Sequence, residues 1–321
     1  MLTAAIQAEI LRLRYAEHWG YSQIARHLGI HRESVRTVAL RRRRPSAAPA
    51  AMATLSFGRA EAAQVDGGEF GDVFGIGRAV HAFVLVLCSS RLLTVIFTFS
   101  QTLEAFLRCH EQAFAFVGGC PKEVWYDNLA TAVAERRGRL VRFHPRFLAY
   151  AGHPRFRPVA CNVGKGNEKG RVEDAIKYLR TNFWPGRTFR DLADLTAQAQ
   201  AWRDTLANQR EHRVTRKLPA LLVAEERATL LPLGEPYDTD EVRSVIVPPN
   251  FRVAFDGDRY SVPWRLVGKP LTLRADAETV TLWYGTHRVA RQGRCWWRGV
   301  EVVLPAHAAG LRATTPGAQA H

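Results

Sequence analysis

The sequence predicts a multidomain chain with three sections of different class: an all-α start, a mixed α/β centre and a small all-β barrel. Three observations carry this expectation. Apolar residues recur at helical spacing up to about residue 40, strand-like and helical stretches alternate from 57 to about 190, and beyond 240 the apolar period falls to two.

In the first section Ile6, Ile10, Leu11 and Leu13 mark the apolar side of one helix. Ser22 is expected to cap a second, which buries Ile24, Ala25 and Leu28 and stops at Gly29. A third runs from about Arg32 to Leu40 with Val35 and Val38 inside. Two short helices around a glycine turn, in SQIARHLGIHRESVRTVAL, fit the helix-turn-helix pattern, whose second helix enters the major groove of DNA. Arg32, Glu33, Arg36 and Thr37 fall off the apolar stripe, so the arginines and Thr37 are candidate DNA contacts. Arg41, Arg42, Arg43 and Arg44 follow directly; four adjacent like charges do not pack, which predicts a basic linker able to lie along phosphates.

The central section reads as strands Ala62–Asp66, Val80–Cys88 and Leu92–Phe99, then a helix from Thr102 to Phe116. A short strand Val124–Asp127, a helix Pro145–Ala151, a strand Phe156–Ala160 and a longer helix from about Glu168 to Phe183 complete it. The order βββαβαβα, with three antiparallel strands first, is the RNase H-like arrangement on a mixed five-stranded sheet. A helical stretch through Leu192, Leu195, Ala199 and Trp202 leads out of it. Further on, Val253 and Phe255 run into Asp256-Gly257, a favoured hairpin turn, and short strands follow to Val289. The last residues lack a period, which predicts a disordered tail.

Composition narrows the partner. Against 30 Asp and Glu the chain carries 45 Lys and Arg, a net charge of +15, and most of it is arginine, which pairs bidentately with phosphate. That points to nucleic acid. The five cysteines show neither zinc-ligand spacing nor a disulfide framework, so a reducing compartment is expected. The most apolar stretch, Val80 to Phe99, is broken by Ser89, Ser90 and Arg91, which excludes a membrane span there and predicts a cytoplasmic protein. No phosphate-binding glycine loop and no Ser-His-Asp or Cys-His arrangement is evident.

Three carboxylates stand out. Asp66 and Asp127 end strands that lie side by side in an RNase H-like sheet, and Glu173 flanks the Val172, Ile176, Leu179, Phe183 stripe of the long helix. Converging carboxylates call for divalent cations, and hard oxygen donors favour Mg²⁺ or Mn²⁺. A pair of such ions suits in-line displacement at phosphorus: catalytic and metal-binding roles are therefore expected at the same three acids. Glu69 and Glu168 are rival ligands, and Asn128 is a candidate for orienting water or DNA. Lys165, Lys169, Arg171, Lys177 and Arg180 crowd the third acid and are candidate phosphate contacts. The tryptophans, among them Trp184, Trp202, Trp264, Trp296 and Trp297, read as packing residues rather than base platforms.

The motifs QVDGGEFG, YDNL and KGRVEDAIKYLRTNFWPGRTFRDL, with FDGDRYSVP and LVGKPLTLR further on, resemble those of IstA-type insertion-sequence transposases. The resemblance spans about residues 1 to 290, and its catalytic acids fall on Asp66, Asp127 and Glu173. It implies metal-dependent nicking and strand transfer of transposon ends, double-stranded DNA as substrate, an IstB-like AAA+ ATPase partner and a homo-oligomer on DNA. The chain departs from the pattern at Gly67, where the family carries Trp, and it is shorter than its members. Two other readings stay open: a catalytically inactive relative that occupies transposon ends as a repressor, and a plain RNase H-like nuclease. The expected boundaries are 1–40 for the helix-turn-helix, 41–56 for the basic linker and 57–190 for the catalytic domain. A helical connector at 191–235, a small barrel at 236–300 and a disordered tail at 301–321 complete the plan.

Overall fold

The structure, a computed structural model, describes residues 2–15, 17, 19–40, 56–126, 133–137, 140–161 and 170–309. The basic linker Arg41–Arg44, Asp127, Asn128, Lys165, Glu168 and Lys169 lie outside them. The chain divides into two compact units, residues 1–54 and 55–321.

The first unit holds α1 (Ala4–Tyr15), α2 (Tyr21–Leu28) and α3 (Arg32–Leu40). Ile10, Leu13, Ile24, Ala25 and Val35 form its core, which leaves Arg32, Arg36 and Thr37 exposed on α3. Gly29 closes α2 in the left-handed region at φ 66°, which a glycine enters without strain. The start of α2 differs from expectation. Gly20, not Ser22, is its N-cap, and the Gln23 side chain accepts from the Gly20 N–H at 2.9 Å.

In the second unit β1 (Ala62–Glu69), β2 (His81–Leu87) and β3 (Leu93–Thr98) form an antiparallel meander, followed by α4 (Leu103–Val117) and β4 (Glu123–Tyr126). A small hairpin, β5 (Val133–Arg137) and β6 (Leu140–Phe143), precedes α5 (Pro145–Gly152) and β7 (Arg157–Ala160). The five-stranded sheet has the order β3-β2-β1-β4-β7, with β4 parallel to both β1 and β7. This is the mixed RNase H-like sheet. The hairpin was not foreseen, because its four- and five-residue strands carry mixed polar and apolar residues.

Two apolar layers cover the sheet. On one face Val65, Phe83, Leu85 and Leu87 pack against α4 through Phe106, Leu107 and Phe114. On the other, Ala82, Val84 and Val86 meet Val172, Leu179 and Phe183 of α6 (Gly170–Tyr178) and the π-helical turn Leu179–Phe183 that extends it. Trp202 of α7 (Leu192–Trp202) completes that layer, and its indole N–H donates to Asn182 at 2.8 Å. Trp184 stacks on Phe70 at 4.3 Å. Both are packing residues, as expected.

The connector ends in α8 (Pro219–Arg227). Its Glu226 carboxylate, 1% exposed, accepts from the Ala60 and Ser90 backbone N–H groups, each at 3.0 Å.

The C-terminal strands do not form the barrel expected over 236–300. β8 (Glu241–Ile246), β11 (Pro270–Ala275), β12 (Thr279–Tyr284) and β13 (His287–Gly293) make a four-stranded sheet of order β13-β12-β11-β8. β9 (Arg252–Phe255) and β10 (Asp258–Ser261) form a second sheet with β14 (Glu301–Val302). Closure requires an unbroken hydrogen-bonded ring. Here β8 and β13 remain edges, and Pro248, Pro249 and Pro263, which lack the N–H a ladder needs, interrupt the chain beside β9 and β10. The two sheets enclose one core built from Val253, Phe255, Tyr260, Leu273 and Leu282. Residues 301–309 are ordered rather than tail: β14 pairs with β10, and His307 of α9 (Pro305–Ala308) is buried against the Ser261 hydroxyl at 2.9 Å. Among the described residues no helix is long and apolar enough to cross a membrane.

Candidate active site

β1 organises the site through its alternation of faces. Gln64, Asp66 and Gly68 stand opposite Val86, Val84 and Ala82 of β2, all three of which pack on the α6 side. Asp66, half-buried, therefore faces α6. It does not end β1, as the sequence suggested; the strand continues to Glu69 along β2. What ends at Val65 is the pairing with β4, where Val65 stands opposite Tyr126. Asp66 and Asp127 each follow one of those paired residues in the chain.

α6 is fixed along this face at both ends. The Val172 N–H donates to the buried Gln64 side chain at 3.3 Å, and a Cβ on Gly68 would lie 3.7 Å from Ile176. Arg180 donates to the Glu69 carbonyl at 3.2 Å. Glu173 is exposed in the first turn, next to Val172, and Asp66 lies in the stretch of β1 that this helix crosses. Asp66 Oδ1 accepts from the Gly67 N–H at 2.8 Å, which orients the carboxylate.

The end of β4 is held at two points of Tyr126. The Tyr126 carbonyl accepts from the Cys161 N–H at 2.8 Å. The Tyr126 hydroxyl donates to His110 Nε2 at 2.9 Å, because His110 Nδ1 donates to the Phe106 carbonyl at 2.8 Å and so fixes the tautomer. Burial drives the His110 pKa down to about 4, so its ring is neutral.

The other predicted residues fall out as follows. Glu69 stands three residues on from Asp66, opposite His81, and so belongs to the α4 face; the two do not share a site. Arg171 lies over the Phe57 ring at 4.7 Å, and Phe57 packs edge-on against Trp125 at 5.5 Å. Lys177 is exposed on α6 and Arg180 on the π-helical turn that extends it. On α3, Arg36 sits 3.6 Å from Glu33. The five thiols are free, four of them buried. Among the described residues no three His, Cys, Asp or Glu side chains gather to hold a metal ion; Asp127 is not one of those residues.

Sequence reading missed two parts of this region. Gln64, a lone polar residue two before Asp66 in an apolar run, was a visible signal of an inward hydrogen bond. The segment 208–217 gave none: Arg210 lies over the Tyr178 ring of α6 at 3.5 Å. Burial, with Arg91, Arg210 and Arg213, lowers the pKa of His212 there, with Asp174 opposing. The helix carrying Glu173 is thus bordered by arginines from a distant part of the chain.

Residues 231–304 match the family described as Mu transposase, C-terminal domain, which carries the likeness past residue 290 into β14. The chain is 32% identical over 216 residues to a putative transposase for insertion sequence element IS5376 of Geobacillus stearothermophilus, covering 67% of this chain and 54% of that protein. It is 32% identical over 196 residues to the transposase for insertion sequence element IS21 of Pseudomonas aeruginosa, covering 60% of this chain and 49% of the relative. It spans about half the length of these curated relatives. A chain of a simian T-cell lymphotropic virus intasome aligns at 15% identity and TM-score 0.41, over 92% of this chain and 99% of that one. The sequence relatives make the chain a member of the DDE/integrase-like transposase superfamily.

Proposed function

We propose that the chain is the catalytic polypeptide of an IstA-type insertion-sequence transposase, which nicks transposon 3′ ends and joins them to target DNA. The observation that carries this reading is the parallel pairing of Val65 with Tyr126, one residue before each of two acids, under a helix that brings a third. Asp66, Asp127 and Glu173 are the metal-binding and catalytic residues in this reading. Their donors are all carboxylate oxygens, which fits Mg²⁺ or Mn²⁺ and not a zinc centre. Two such ions, when bound, would lower the pKa of the attacking hydroxyl group and neutralise charge on the leaving oxygen.

The chain's own residues then do three things. Asp66, Asp127 and Glu173 position the metal-bound scissile phosphodiester. Water attacks phosphorus first, breaking the P–O3′ bond and freeing a 3′-OH; that hydroxyl then attacks a target phosphodiester at the same acids, forming a new P–O bond as the target's own P–O3′ bond breaks and a target 3′-OH leaves. Arg171, Lys177, Lys165 and Lys169 hold flanking phosphates, while Arg32, Arg36 and Thr37 of α3 read the end sequence, with Arg41–Arg44 on the backbone between. An IstB-like AAA+ ATPase and further copies of the chain complete the assembly on paired ends.

The test is nicking and strand transfer on duplex oligonucleotides carrying the element's ends, with Mg²⁺. Asp66→Asn, Asp127→Asn and Glu173→Gln should each lower both activities by about 10³-fold or more, equivalent to several kcal/mol of transition-state stabilisation. End binding should stay within a few-fold of wild type. A wild-type chain that binds ends but never nicks them, with every variant alike, would instead support an inactive end-binding repressor.

A further inference from the structure

The connector brings arginines to α6 through a built turn. The Asn208 side chain, 3% exposed, donates to the Leu93 carbonyl and accepts from the Leu93 N–H, each at 2.9 Å. That fixes residues 210–213 beside Arg91, which lies two residues before Leu93. The turn then closes on itself: the His212 N–H donates to the Lys217 carbonyl at 3.0 Å, and the His212 carbonyl accepts from the Arg216 N–H at 2.8 Å. Burial, then Arg91, Arg210 and Arg213, lower the His212 pKa, so all three cations lie near one ring. None of the three makes an ion pair with a described residue. Of the nearby acids, Asp174 opposes them at His212, Glu226 is held by two backbone N–H groups, and Glu211 faces Arg216 at 3.9 Å. Arg91 moreover holds φ 65°, a left-handed backbone that favours glycine. Gathered like charges repel one another, and a bound anion relieves that repulsion.

We propose that Arg210 and Arg213 of the connector hold a phosphodiester group of the DNA engaged at Glu173, with Arg91 adding its charge from the β2–β3 turn. The inference rests on the transposase reading above, since that reading brings DNA to α6. Both connector arginines are exposed. Arg210 lies over the Tyr178 ring at 3.5 Å, and a guanidinium seated on a ring keeps its N–H fork for phosphate oxygens. Asp174 and Tyr178 stand one turn apart on α6, and Glu173 and Lys177 form the adjoining stripe. The turn therefore lies along the flank of the helix that carries the third acid. A nucleic-acid backbone suits this layout better than a single carboxylate or a free phosphate. Its charges repeat along one strand, so one phosphate can sit by Lys177 while a neighbour meets the connector arginines.

The experiment uses the full chain and dye-labelled end duplexes, with affinity read by anisotropy across a salt series in Ca²⁺ to hold the uncut complex. Arg210→Gln with Arg213→Gln should make log affinity less steep against log salt by about 1–2, each phosphate contact being worth about 0.9. An unrelated duplex should lose as much, because phosphate contacts carry no sequence. Melting temperature should hold; Arg213→Gln alone, which disturbs no ring contact, should give about half the change. Single neutral methylphosphonates along the end duplex then locate the contact. One near the cleaved bond should cost wild type about 10-fold in affinity and the double variant less than about twofold. An unchanged salt slope, or the same methylphosphonate profile in both chains, overturns the proposal, while nicking by wild type in Mg²⁺ leaves the transposase reading intact. Equal DNA binding by both chains, with a glutamate-rich peptide bound by wild type alone, overturns it in favour of an acidic protein partner. Wild type that binds the duplex and never nicks it removes the transposase reading, and the placement beside a scissile bond falls with it.

Discussion

Replacing Asp256 with Asn tests what holds the C-terminal sheets against the core. Asp256 occupies the turn between β9 and β10 at φ 53°, followed by Gly257 at φ 90°. Its Oδ1 accepts from Arg78 Nη1 at 3.1 Å and its Oδ2 from Arg294 Nη2 at 2.9 Å. Arg78 comes from the segment between β1 and β2, so one carboxylate ties the five-stranded sheet to the last strands. The two guanidinium side chains are 9% and 4% exposed. Glu241 lies 4.0 Å from Arg294 and compensates it only partly. Asn tolerates the left-handed backbone and retains a hydrogen-bonding oxygen, so the substitution removes charge and little else.

Removing one partner of a buried ion pair costs about 3–5 kcal/mol. Asp256 is 28% exposed, so water takes up part of the loss and about 2–3 kcal/mol is expected. Equilibrium urea unfolding, followed by tryptophan fluorescence, reads it directly, since Arg294 lies 4.1 Å over the Trp296 ring. Arg78→Leu combined with Asp256→Asn should recover part of the loss, because one of the two uncompensated cations is gone. A single variant within about 0.5 kcal/mol of wild type, the range of ordinary surface changes, would refute the reasoning.

Two further outcomes are expected. His110 has a folded pKa of about 4 against an ordinary 6.5, so below pH 6.5 the unfolded chain takes up a proton that the folded chain refuses. Stability should therefore be unaffected by His110 above pH 6.5 and fall by up to about 3 kcal/mol as pH drops to 4. His81, His212 and His307 shift the same way through burial, so the contribution of His110 is the difference in pH slope between wild type and His110→Gln; equal slopes would exclude it. Glu226→Ala strands two buried backbone N–H groups, at about 1–3 kcal/mol each, and should cost about 2–5 kcal/mol in urea unfolding, with Glu226→Gln milder; a neutral Ala variant would mean water takes over both bonds.

Much of the fold was legible because local pattern and tertiary role coincide. Gly29 stops α2, Asp256-Gly257 turns β9 into β10, and the apolar runs of β2 and β3 are buried on both faces, as their composition says. Where role depends on partners, pattern failed. Period two tells which face of β8 or β13 is apolar, but not whether their edges meet, so the expected barrel and the observed pair of sheets share one signature. Ser22 has the chemistry of a cap, yet Gly20 holds the position because Gln23 reaches back to it. His110 lies on the buried stripe of α4 with Phe106 and Phe114, but its bond to Tyr126, on β4, could not be read from α4 alone. For the site, the motifs and strand order selected Asp66, whose face the register then supplies. Glu173 depends on where α6 crosses β1, and that is set by Gln64 and Gly68, whose partners on α6 cannot be read from β1 alone.

The two faces of β1 also separate two kinds of consequence. Even-numbered positions, Gln64, Asp66 and Gly68, face α6; odd-numbered ones, Val65 and Gly67, face α4. Asp66→Asn should therefore remove nicking while the α4-side core keeps its stability, whereas Val65→Ala, which opens a cavity in that core, should cost about 1–3 kcal/mol in urea unfolding. An Asp66→Asn chain as destabilised as Val65→Ala would mean that the carboxylate packs the fold rather than serving the reaction, and that the strand's alternation is not what divides the work.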